Sequence, residues 1–158
     1  AEPVKKMANI VIDTSHLNTP KLQETLERYF AIGQKAPFRI SFVSFGYKHG
    51  IPRDADLLFD VRFLPNPYYV EALRSLTGND KAVYDYVINK PETQEFISRL
   101  TDLLDYLFEN FEKEGKMHLV VGIGCTGGQH RSVTLANYFA DYYSSRYQVH
   151  RLHRDADH

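Results

Sequence analysis

Residues 118–143 read HLVVGIGCTGGQHRSVTLANYFADYY, and the fold follows from how this stretch is parsed. Leu119-Val120-Val121-Gly122-Ile123 has little polar interruption, as expected for a strand covered on both faces. Cys125-Thr126-Gly127-Gly128-Gln129-His130-Arg131-Ser132 then forms a glycine-rich turn. Val133, Ala136, Phe139, Ala140 and Tyr143 follow at helical spacing, which predicts a helix over roughly 130–146. A strand that turns at once into a helix is a building block of a parallel sheet, and ligands collect at the carboxyl ends of such strands.

The same reading extends outward along the chain. Phe38, Ile40 and Phe42 alternate with Arg39 and Ser41, a strand ending near Phe45-Gly46. A second strand is predicted at Leu57-Leu58-Phe59-Asp60-Val61, closed off by Pro65 and Pro67. Phe96, Leu100, Leu104, Phe108 and Phe111 hold helical spacing through a long helix from Pro91 to Glu114, stopped by Gly115. Residues 148–153 make a plausible last strand. Nearer the start, Thr19-Pro20 opens a helix bearing Leu22, Leu26, Tyr29 and Phe30 and ending at Gly33. Ile10-Val11-Ile12 is an isolated strand-like run. Strands alternating with helices predict an α/β fold, a single layered domain with a mainly parallel sheet flanked by helices.

Composition limits the function classes. The chain has 158 residues, 43% hydrophobic, enough for one self-supporting core. A net charge of −1 and a pI near 6.7 argue against a general nucleic-acid binder. No apolar run approaches the ~18 residues of a membrane span, and no signal peptide opens the chain. Cys125 is the single cysteine, so no internal disulfide can form, which suits a cytoplasmic protein. Ala1 in place of an initiator methionine fits a processed chain or a piece of a longer one. No pair of histidines shows helical i,i+4 spacing with an acidic partner, so no metal site is expected.

The turn has the ingredients of an anion site. Gly127 and Gly128 let backbone N–H groups converge, and the next helix aims its unpaired N–H groups and positive dipole end the same way. Arg131 adds a fork of donors, and Thr126, Ser132 and His130 add more. His130 fits ligand contact, solvent or a core carbonyl. No Walker A loop occurs. The segment also fits Cys-x5-Arg-Ser, in which a thiolate attacks a phosphate gripped by the arginine. Gly124 stands before the cysteine where that signature usually carries histidine, and Cys125 is read first as a small buried residue closing the strand. Asp60 falls on the same rim if its strand neighbours that of Cys125. There it would meet an amine or hydroxyl of the ligand, or pair with Arg62. Lys48 and His49, after the first strand, either add positive charge to the rim or are solvated.

Taken together, GCTGGQHRSV, FGYKHGIPRDADLLFDVRFLPNPYY, LTGNDKAV and the closing HR pair resemble the C-terminal domain of the RapZ/YvcJ family over roughly residues 36–155. That family is described as RNase adapters or nucleotide-binding proteins. The resemblance implies that residues 1–20 are the tail of a P-loop kinase-like domain that binds ATP or GTP. Residues 21–158 would then be a sugar-phosphate-sensing domain with no cofactor of its own. It implies a non-catalytic sensor of glucosamine-6-phosphate regulating amino-sugar metabolism, while the Cys-x5-Arg-Ser spacing carries the alternative, a cysteine-dependent phosphatase. Carried over by position, Cys125, Thr126, Gly127, His130 and Arg131 fall on the sugar-phosphate loop, and Asp60 on the second strand's contribution. A protein partner and homo-oligomerisation are expected, with no membrane contact. Tyr68 stands where sensor members carry a ligand-contacting histidine, and Asn89 where they carry an arginine. The end HRLHRDADH lacks the lysine-rich tail linked to RNA contact.

Overall fold

A computed structural model describes residues 37–157, together with Glu24. The expected strand at Ile10-Val11-Ile12 and helix after Pro20 lie outside the described residues. The chain divides after Phe38, and every element below belongs to Arg39–His158. In chain order these are β1 (Arg39–Gly46), β2 (Leu57–Asp60), α1 (Lys81–Ile88), α2 (Pro91–Glu114), β3 (His118–Cys125), α3 (Arg131–Tyr143) and β4 (Gln148–His153). No helix among the described residues is long and apolar enough to cross a membrane.

The sheet has the order β2-β3-β1-β4, and every pairing is parallel. The expected parallel α/β layering is what forms. β1 and β3 occupy the centre and are buried at every position. β3 accordingly lacks the alternation of a half-exposed strand, whereas β1 alternates in sequence but buries its polar Arg39, Ser41 and Ser44 as well. β2 is an edge strand that alternates between half-buried and exposed. Helices α2 and α3 meet over one face through Phe42. Its ring stacks on Phe139 and Tyr143 of α3 and lies edge-on to Phe108 of α2, with centroids 6.2–6.3 Å apart. Burying each such ring contributes roughly 1.5–3 kcal/mol.

Local signals set the element ends. Gly115 ends α2 in the left-handed region, φ 95°, where a side chain is strained. α3 is shorter than its hydrophobic pattern suggests: the N–H groups of Arg146 and Tyr147 both turn back onto the Tyr143 carbonyl, closing the helix. α1 was not marked by any strong periodicity, because only Val83 and Val87 of its eight residues are buried.

Candidate functional site

The carboxyl ends of β1, β2 and β3 lie side by side. Gly46 pairs with Cys125 and Asp60 with Gly124, so the three following loops open on one rim. Between them is a cavity of about 360 Å³, within the roughly 300–1,000 Å³ typical of small-molecule sites. The turn after β1 contributes Lys48, and the loop after β2 contributes Asn66, Tyr68 and Tyr69. Cys125, Thr126, Gly127, Gln129, His130 and Arg131 complete the wall.

The backbone of the loop is locked by close approach. Gly128 has φ 81°, and a Cβ there would sit 2.6 Å from the Gly46 nitrogen and 2.8 Å from Asp155 Cβ. A Cβ on Gly46 would likewise meet the Gly127 carbonyl oxygen at 2.6 Å. The Gly128 N–H donates to Cys125 Sγ at 3.3 Å, and Ser132 Oγ lies 3.2 Å from the same sulfur. Cys125 itself is only 2% exposed.

Arg131 is buried and committed on one side. Nη1 donates to the carbonyls of Arg62 (2.6 Å) and Leu64 (3.0 Å), fixing the loop after β2 against the start of α3. Nη2 has only a 3.5 Å contact with Thr126 Oγ1, and Nε has no partner among the described residues. The helix it opens also lacks a protein cap: His130, at the N-cap, makes no side-chain capping bond. Its Nε2 instead meets the carbonyl of the exposed Arg74 at 3.1 Å, so Nε2 carries the proton, and the ring is tied to the segment after β2. Arg74 in turn donates to the Tyr68 carbonyl at 2.9 Å and lies over the Tyr68 ring. This chain fixes the backbone of Tyr68, whose side chain is half exposed.

Several expected members stand elsewhere. Asp60 is on the rim, but its carboxylate is held by Arg62, with Nη2 at 2.6 Å and Nε at 3.0 Å. The Arg62 hydrogen bond and charge hold the Asp60 carboxyl below its usual range against a smaller opposing effect of burial. Arg62 lies 4.0 Å from the centre of the Tyr47 ring. Asp60 and Arg62 therefore form the surface pair, and neither lines the cavity. His49, Gly128 and Ser132 are also outside the lining. Asn66, Tyr69 and Gln129 line it without having been singled out in the sequence. The Pro65-Asn66-Pro67 run was the available signal, since Asn66 caps the short turn Pro67–Tyr69 by accepting the Tyr68 N–H at 3.1 Å. Among the described residues the lining carries two permanent cations, Arg131 and Lys48, and no carboxylate. No cluster of metal-ligating side chains occurs among the described residues.

Residues 38–157 match the family described as the RapZ C-terminal domain. Curated relatives include nucleotide-binding protein YvcJ of Bacillus subtilis, 50% identical over 156 residues, covering 99% of this chain and 53% of that protein. A nucleotide-binding protein of Staphylococcus aureus strain Newman is 53% identical over 155 residues, with 97% and 51% covered. The chain thus spans about half the length of the relatives it matches.

Proposed function

Because the chain belongs to the RapZ C-terminal domain family, we propose that it is the ligand-sensing half of a regulatory protein, binding a phosphorylated amino sugar without transforming it. Glucosamine-6-phosphate is the candidate ligand. One observation carries this reading: an uncapped helix N-terminus, Arg131 and Lys48 converge on a cavity whose described lining has no carboxylate. A phosphate there would cap α3, accept from the uncommitted Arg131 Nη2 and neutralise Lys48. The sugar would then face Asn66, Tyr68, Tyr69 and Gln129, polar and aromatic groups suited to hydroxyls and ring faces. Asp60 joins in only if Arg62 releases it, so amine selectivity is expected to be modest. Ligand binding would regulate a cytoplasmic protein partner, or the homo-oligomer, only by favouring one of two states.

Isothermal titration with glucosamine-6-phosphate, against glucose-6-phosphate as the control lacking the amine, tests the reading. Micromolar to millimolar binding of the amino sugar supports it, and tighter binding than the control gives the amine a role. Failure of both to bind at millimolar concentration overturns it.

The contacts of Ser132 Oγ and the Gly128 N–H with Cys125 Sγ support a second reading, a cysteine-dependent phosphatase, since both would stabilise a thiolate. Against it stands the lack of an aspartate in the described lining to protonate a leaving group. Phosphate release from an aryl phosphate, abolished in Cys125→Ser, would establish this reading instead.

A further inference from the structure

Two residues after β4 reach back under the site. The buried Asp155 carboxylate accepts the Gly46 N–H at 2.8 Å. Arg154 Nη2 donates to the same carboxylate at 2.8 Å and also to the Gly50 carbonyl. Gly46 and Gly50 are the two ends of the tight turn that carries Lys48. Inside that turn the Lys48 N–H donates to the Thr126 carbonyl at 3.2 Å. The Lys48 ammonium lies 4.0 Å from where a Gly127 Cβ would be, directly over the glycine loop. Arg154 is itself anchored, its N–H donating to the Ser44 carbonyl at 3.0 Å.

From this geometry we infer that Arg154 and Asp155 are positioning residues, holding the 46–50 turn at both ends so that Lys48 is presented to the anion. The inference rests on the sugar-phosphate reading above. A lysine gains little by meeting a phosphate if its own backbone must first be ordered, because the ordering entropy is subtracted from the contact. An ion pair that fixes both ends of the turn removes that cost before the ligand arrives. Its placement is specific: one carboxylate satisfies Gly46, one guanidinium satisfies Gly50, and neither residue lines the cavity.

A double-mutant cycle on titration affinity for glucosamine-6-phosphate decides the matter. Asp155→Asn and Arg154→Gln should each weaken binding by about three- to ten-fold when Lys48 is present, and by less than about two-fold in a Lys48→Ala background. Arg154 is the safer site, since its side chain is 29% exposed; thermal unfolding identifies any variant that fails to fold. Undiminished binding by Arg154→Gln would overturn the inference and leave the sensor reading standing. Equal weakening with and without Lys48 would also overturn it, reducing the pair to a structural tie on the glycine loop. If the wild-type chain binds no phosphorylated sugar, the sensor reading falls and this inference with it.

Discussion

Arg131 meets two demands with one guanidinium. Nη1 holds the loop after β2 through two carbonyls, while Nη2 faces the cavity wall at Thr126. Arg131→Lys keeps the charge but loses the fork. It should cost about 1.5–3 kcal/mol of stability by denaturant titration and more than about ten-fold in sugar-phosphate affinity. A Lys variant of unchanged stability would show that the carbonyl contacts contribute nothing. Gly128→Ala tests the backbone. At φ 81° and with the Gly46 nitrogen 2.6 Å from the new Cβ, it should destabilise by about 1–3 kcal/mol, read from the unfolding midpoint. The loop could be read as a candidate anion site because glycines, hydroxyls and an arginine are contiguous there. The state of Asp60 was not, because a carboxylate two residues from an arginine can face a ligand or fold onto that arginine, and only the backbone path after β2 selects the second.

At the scale of elements, α2 was the easiest to read. Its 24 residues repeat the apolar stripe over several turns, and Gly115 marks the stop. Eight-residue α1 offers barely two turns and two buried valines, too little for a period to stand out. The long helix is held through Phe108, whose ring meets Phe42, Tyr143 and Tyr147. Phe108→Ala should cost about 3–5 kcal/mol in an unfolding titration. Gly115→Ala, which only forces a side chain into the left-handed region, should cost about 1–2 kcal/mol. A reversed ranking of the two would mean that the cluster joining α2 and α3 is not the main link between them.

For the whole molecule, the acid limb of stability should run through Asp155. Burial pushes its carboxyl up, but the Arg154 hydrogen bonds, the Gly46 N–H and the Arg154 charge together hold it below the usual range. A carboxyl depressed in the folded state stabilises above its unfolded value, near 3.9, and that contribution is lost as pH falls through the lower folded value. Unfolding free energy measured from pH 6 down to pH 2 should therefore drop, and Asp155→Asn should flatten the drop. An unchanged slope would mean that Asp155 carries no net stabilisation. The sequence by itself determined the four strands and the helices α2 and α3 in their order, the parallel α/β arrangement, the glycine loop and the family, because periodicity, turn chemistry and motifs are carried by residues close together in the chain. The tertiary structure alone decided that Lys48, Tyr69 and Gln129 share one cavity, that Asp60 belongs to Arg62, and that Asp155 lies beneath the loop. Those facts depend on the sheet order β2-β3-β1-β4, which brings distant segments to one rim, and on hydrogen bonds whose partners are chosen only once the backbones are in place.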